Sequence, residues 1–197
     1  VKTKYKFSGH KFQGETLKAQ ASHTETLRNT TTQCQKQLCN VFCTVGDLKG
    51  RVSGLVSGQY VITTKHSLSL EGLIEVEWKG QIYKVKALQI CDTYDLAVLQ
   101  LTKTTATKSL IRKFISSSEM QALVKREMFH NFNFVLPTIV HTCQGRLLGK
   151  TTISGQPYEQ VLVFTSAGRS LPTQGGDCGS PYLVWDPQIG NHIAGIH

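Results

Sequence analysis

Three features of the chain predict an all-β fold of two antiparallel barrels with a short helical segment ahead of them. Short β-runs follow one another closely from residue 41, the pattern breaks near residue 103, and a second set of runs begins after it. The first set reads NVFCTV, RVSGLVS, YVITT, LIEVEWK, IYKVKALQI and DLAVLQL, six runs separated by glycine-containing punctuation. In LIEVEWK, Ile74, Val76 and Trp78 alternate with Glu75, Glu77 and Lys79, the period of two expected when one sheet face is buried and the other wet. No strand–helix–strand spacing appears, which argues against a parallel sheet.

The elements divide the chain into four expected segments. Residues 1–40 are polar and Thr-rich, and Leu27, Thr31, Cys34 and Leu38 recur at helical spacing, so part of this extension is expected to lay a helical face on the barrels. Residues 41–102 make the first barrel. Residues 103–121, KTTATKSLIRKFISSSEMQ, break the strand pattern with Thr, Ser and basic residues and read as a linker over the surface. The runs FNFVL, TIVHTCQGRLLG, QVLVFTS, PYLVW and HIAGIH in residues 122–197 make the second barrel.

Composition bounds the function. The chain has 197 residues, 40% hydrophobic and 18% charged, enough to bury a core as one domain or two small lobes. No apolar run approaches the roughly 20 residues that span a bilayer. Val1 and the polar start VKTKYKFSGHK suit a chain cut from a longer precursor better than a signal peptide. The six cysteines, at 34, 39, 43, 91, 143 and 178, are expected to be reduced thiols, because a chain of this length needs no staples. Cys34, Cys39 and Cys43 near His23 invite a zinc reading, but their steps of five and four match no familiar ligand pair, and neither metal nor cofactor is expected. The net charge of +9 favours a polyanion such as RNA or an anionic membrane surface.

Chemistry concentrates in PTQGGDCGSPY, residues 172–182. Glycines on both sides of Cys178 suggest a backbone bent so that its sulfur faces a ligand. A thiol acts as the thiolate and needs a base nearby. His66, where the run QYVITT ends, is the candidate base. Asp95, at the head of the strand DLAVLQL and anchored by Leu96, Val98 and Leu99, is the candidate to orient the imidazole. Glu75 and Glu77 look like a solvated strand face and Asp92 lies in the preceding turn, so Asp95 is favoured over them. The amides of Gly176, Asp177 and Cys178 are the candidate oxyanion hole.

His66 after its strand, the Asp-Leu-Ala-Val-Leu run at Asp95 and Gly176-Asp177-Cys178-Gly179 resemble, in this order, the chymotrypsin-fold cysteine proteases of positive-strand RNA viruses, and most of all the picornavirus 3C-type proteases. The resemblance covers roughly residues 40–197. It implies a polyprotein-processing endopeptidase acting in the host cell cytoplasm on a viral polyprotein. His197 of the Gly-x-His motif and Thr173 before the glycines would line a pocket for Gln, or Glu, before the scissile bond. It also implies a basic RNA-binding segment, for which Arg112 and Lys113 are the candidates, although the family's Lys-Phe-Arg-Asp-Ile order is not reproduced. Many members have Glu where Asp95 stands, and relatives continue past the position of His197, so the second barrel is expected to be truncated at its end. The rival expectation is a basic β-rich viral RNA-binding module with little or no protease activity.

Overall fold

The structure, a computed structural model, describes residues 6–7, 27–158, 161–165 and 175–197. Most of the 1–40 extension, including His23, lies outside the described residues. Strand β1, Lys6–Phe7, pairs in parallel with β6 at Ala87 and Leu88 (β6 is Gln81–Cys91), and helix α1 follows at Leu27–Lys36. Helix α1 buries Thr30, Thr31 and Cys34, whereas Leu38, expected on the same helical face, opens the next strand. Leu27, Cys34 and Leu38 still meet in one apolar cluster, because the chain turns only at Gln37.

The first barrel consists of β2 (Leu38–Val45), β3 (Leu48–Ser57), β4 (Tyr60–Thr64), β5 (Leu73–Trp78), β6 and β7 (Leu96–Leu101). The order is β6-β5-β2-β3-β4-β7, and pairing of β6 with β7 closes the ring. Ile74, Val76 and Trp78 point inward as their alternation requires, joining Val41, Val56, Val61, Leu88, Ala97, Leu99 and Leu101. In β7 the inward residues are Ala97, Leu99 and Leu101, while Leu96 and Val98 are half-buried on the other face. The parity places the strand's anchor one residue from where Leu96 and Val98 put it.

The connecting stretch is more ordered than its composition suggests. Leu110 is fully buried and its amide is bound by the Ser57 hydroxyl. A 3-10 turn covers Ile111–Lys113, and helix α2 runs from Ser117 to Arg126, past the expected linker end at 121. The Ser-rich run is a helix start: the Ser116 hydroxyl accepts from the Glu119 amide while the Glu119 carboxylate accepts from the Ser116 amide, a reciprocal cap. Met120, Leu123 and Val124 then pack on the second sheet.

That sheet contains β8 (His130–Val135), β9 (Val140–Leu148), β12 (Val161–Thr165), β13 (Pro181–Asp186) and β14 (Gly190–Ile196) in the order β12-β9-β8-β13-β14. A separate hairpin joins β10 (Thr151–Ile153) to β11 (Gln156–Tyr158). The core of the five-stranded sheet holds Phe132, Phe134, Leu147, Tyr182 and Val184. Between the two halves, Leu55 from the first barrel meets Leu110, Val135, Leu183 and Ile193, with Cys34 of α1 beside them. Helix α1 and the turn after it are tied to both halves: Thr31 accepts from Asn133, Gln35 donates to the Leu136 carbonyl, and Gln37 donates to the carbonyls of Val56 and Lys108.

One buried charge fastens α2 to the β13–β14 turn. Asp186 is almost fully buried and accepts from Arg126, His130 and the amides of Gln188 and Ile189. Burial alone would push its pKa up, but the Gln188 amide, His130, the Ile189 amide and the Arg126 charge outweigh it and hold the carboxyl below its usual range. A carboxyl held low stabilises the fold above its unfolded-state pKa, and that contribution disappears as the pH falls through the folded value. Asp186→Asn should therefore cost about 3 kcal/mol of unfolding free energy at neutral pH. Thermal unfolding against pH should show the gap to wild type closing in acid.

Candidate active site

Antiparallel pairing sets the first half of the site. Strands β4 and β7 pair with Thr64 opposite Leu96, so His66, just beyond β4, and Asp95, just before β7, emerge at the same end of the barrel. The Lys65 amide donates to the Asp95 carbonyl at 3.0 Å and the His66 amide to Asp95 Oδ1 at 3.0 Å. The second oxygen, Oδ2, lies 2.5 Å from His66 Nδ1. Asp95 adopts φ +55°, a left-handed conformation that aspartate tolerates better than most residues and that turns its side chain back over the loop. A carboxylate can only accept, so Nδ1 carries the hydrogen and Nε2 presents a lone pair. Of the rival carboxylates, Asp92 pairs with Lys65 and Glu77 accepts from Asn40.

The Cys178 loop is clasped from two sides. Toward the first barrel, the Ser53 amide donates to the Cys178 carbonyl at 2.8 Å and the Ser53 hydroxyl to the Gly176 carbonyl at 3.0 Å. Thr63, three residues before His66, donates its hydroxyl to the Ser53 carbonyl, which ties the loop to the strand carrying the imidazole. Toward the second sheet, the Gly179 amide donates to the His197 carbonyl at 2.9 Å and the His197 amide to the Ser180 carbonyl at 2.8 Å. Within the loop, the Ser180 amide donates to the Asp177 carbonyl at 3.1 Å, a turn that follows the candidate oxyanion residues Gly176, Asp177 and Cys178.

Two glycines shape this loop for steric reasons. Gly179 has φ +90°, and a Cβ there would stand 1.7 Å from the Ser53 carbonyl oxygen. Gly176 has φ +95°, and a Cβ there would stand 2.9 Å from Arg51 Nη2. Neither position accepts a side chain.

His197 lies beside the loop in an aromatic setting. Its ring centroid is 5.1 Å from that of Phe134, and Phe134 stacks on Tyr182 at 4.5 Å. The Tyr182 hydroxyl lies 2.7 Å from His197 Nδ1. Burial pushes the phenol pKa up, and the negative charges that can form on Cys143, Asp177 and Cys178 add to the effect, so the hydroxyl stays protonated and can donate to Nδ1 in the tautomer that leaves this nitrogen bare. Burial pushes the His197 pKa below 6.5, opposed by Asp177 and reinforced by His66, which also places His197 within electrostatic range of both. The lowered pKa favours the neutral imidazole, which in the tautomer with Nδ1 bare keeps an Nε2–H donor.

All six cysteines are free. Burial raises the pKa of Cys34 and Cys39 to about 12 and of Cys143 to about 11, and also raises that of Cys43, which makes these four poor nucleophiles. Cys178 is half-buried. Among the described residues no group of three or more His, Cys, Asp and Glu side chains could hold a metal ion. Thr173 lies outside the described residues. Arg112 and Lys113 sit in the 3-10 turn, Arg112 exposed and Lys113 half-buried with its pKa lowered by that burial.

Sequence reasoning missed Ser53, Thr63 and Tyr182. Only Tyr182 carried a signal: a tyrosine in an otherwise apolar strand needs a partner for its hydroxyl.

No family model matches the chain, and no curated protein matches it. Solved structures do. The tobacco vein mottling virus protease superposes with a TM-score of 0.52 at 16% identity, covering 85% of this chain and 72% of that one. A catalytically inactive tobacco etch virus protease complexed with substrate gives 0.50 at 16%, covering 84% and 73%. The active form of the Rv3671c protease from M. tuberculosis gives 0.51 at 10%, covering 85% and 80%. These likenesses show the chymotrypsin-like, two-barrel fold.

Gly179→Ala should cost more than about 3 kcal/mol of unfolding free energy, because the methyl group must displace β3 or the loop. Gly175, with nothing among the described residues within 4 Å of its would-be Cβ, is the control. Gly175→Ala should be close to neutral in the same thermal melts.

Proposed function

We propose that this chain is a cysteine endopeptidase with Cys178 as nucleophile and His66 as general base. The observation that carries the reading is the carboxylate-oriented imidazole at one lip of the first barrel, with the glycine-bracketed Cys178 loop bonded to the adjoining strand. His66 Nε2 takes the proton from Cys178 Sγ, and the thiolate attacks the scissile carbonyl carbon. The amides of Gly176, Asp177 and Cys178 hold the oxyanion. The intermediate collapses, the C–N bond breaks, and His66 gives its proton to the departing amine. Water, deprotonated by His66, then hydrolyses the thioester and releases the thiol. Asp95 keeps the ring in the required tautomer and offsets the imidazolium charge.

The groups beside the nucleophile loop support cleavage after Gln. A neutral His197 with its Nε2–H free of the Tyr182 contact can donate to a side-chain amide carbonyl, and Thr173 is proposed to add a hydroxyl. Glu fits the same donors less well, since its charge must be buried beside a neutral ring. Two of the neighbours in fold are plant-virus proteases, and one of them is complexed with substrate. That, together with the 3C-like order of motifs, supports processing of a viral polyprotein in the host cell cytoplasm.

One observation favours RNA as a second partner. A groove of about 440 Å³ between α1 and the β5–β6 turn is lined by Arg28, Lys36, Lys79 and Lys108 around Trp78, with no carboxylate among its lining residues. Together with exposed Arg112 and the net charge of +9, it offers cations for phosphates. Tight, salt-dependent RNA binding in filter assays without peptide turnover would instead favour the binding module.

Cys178→Ala should abolish cleavage of Gln-containing peptides, as followed by mass spectrometry, while leaving the thermal melt unchanged. Retained turnover in that variant would overturn the nucleophile. Because the His197 pKa is held below 6.5, KM for Gln peptides should stay flat down through that pH and rise only in more acid solution. Tyr182→Phe removes the donor on Nδ1 and should raise KM by about tenfold. It should also move the acid rise toward higher pH.

A further inference from the structure

Arg51 and Lys49 are charges without an assigned role beside the reacting centre. We propose that they form a cationic subsite for an acidic side chain on the leaving-group side of the scissile bond. This rests on the endopeptidase reading.

The clasp on the Cys178 loop gives the substrate its direction. His197 lies on the β14 flank, so the residue before the scissile bond and the chain preceding it belong there. The chain after the scissile bond must leave across the opposite flank, which is β3, where Ser53 holds the carbonyls of Cys178 and Gly176.

Among the described residues, strand β3 has no strand partner on one edge at that point. Its pairing with β2 covers Leu48–Leu55, whereas its pairing with β4 covers only Leu55–Ser57. On the edge without a strand partner, the Ser53 main-chain groups are taken by the Cys178 carbonyl and the Thr63 hydroxyl. Main-chain groups alternate between the two edges of a strand, so those of Arg51, and then Lys49, come next on the same edge. An extended segment can pair there by strand addition.

The side chains at this edge suit an anion. Arg51 Nη1 donates to Asn40 Oδ1 at 3.0 Å, and Asn40 in turn donates to Glu77, which fixes the guanidinium over Gly176. Lys49 Nζ sits 4.2 Å from the Phe42 ring centroid. Among the described residues, neither cation has a carboxylate within 4.0 Å. The guanidinium therefore keeps donors for a carboxylate in a fixed orientation, and Lys49 adds a second positive charge two residues along the strand.

The test is a set of peptides with Gln before the scissile bond and Glu, Gln or Lys at each of the three following positions. Wild type should cleave the best-placed Glu peptide about tenfold faster in kcat/KM than its Lys counterpart. The advantage should shrink as salt rises. Arg51→Glu should reverse the preference, and Lys49→Glu, which is remote from the loop clasp, should reduce it by about half on a logarithmic scale. The ratio between two peptides within one variant does not depend on how much of that variant folds. Cleavage by wild type with no charge preference, or an unchanged Glu preference in both variants, overturns the subsite and leaves the endopeptidase reading standing. No cleavage of any peptide by folded wild type removes both.

Discussion

The site depends on how closely the Cys178 loop can approach strand β3. The Ser53 amide reaches the Cys178 carbonyl only because residue 179 has no Cβ, which would otherwise stand 1.7 Å from the Ser53 carbonyl oxygen. That contact does several things at once. It fixes the direction of the peptide planes around the thiol and sets the loop against the strand that leads through Thr63 to His66. Beyond it, among the described residues, β3 has no strand partner on the edge away from β2. A backbone-to-backbone bond is suited to this task, since no rotamer change can release it.

The imidazole and carboxylate come from the first barrel and the thiol from the second sheet, so their alignment is only as rigid as the seam between the halves. Leu55, Leu110, Val135, Leu183 and Ile193 fill that seam with fully buried side chains. A close-packed apolar seam resists sliding because any shift opens voids. The polar groups that cross it are satisfied: Gln37 bonds carbonyls of β3 and of the connector, and the Leu110 amide bonds Ser57. Helix α1, expected to pack on the barrels, and the connector, expected only to cross the surface, thus together clamp the two halves in register.

What could be read from the sequence was whatever repeats locally. The period of two in LIEVEWK survives in the burial of Ile74, Val76 and Trp78, and six successive runs do close into a barrel. Ser116-Ser117-Ser118-Glu119 was opaque because the same residues serve as loop or helix cap, and only the reciprocal Ser116–Glu119 bonding decides between them. Asp95 stood out as the acid at the head of an alternating strand, but the strand's parity could not be fixed by its first residues, since Leu96 and Ala97 are both apolar. Ser53, Thr63 and Arg51 carried no signal at all. Their importance lies in contacts with a loop more than a hundred positions away, and nothing in GRVSGLVS marks one serine or one arginine as facing it.

Burial also divides the labour within the groove. Desolvation disfavours the charged form of every group, so it raises thiols and phenols and lowers imidazoles. In the interior this silences Cys34, Cys39 and Cys143, and beside the groove it keeps Tyr182 and His197 neutral, the states needed for a hydrogen-bond relay that ends in a donor. A proton-transfer pair needs the opposite setting, because it must pass through a charged state and exchange with water. His66 has 55% of its side chain exposed and Asp95 27%, against near-complete enclosure of the core thiols. In the proposed mechanism the proton-transfer pair is thus open to water, and the Cys178 loop, bonded to both flanks, lies between it and the half-buried His197.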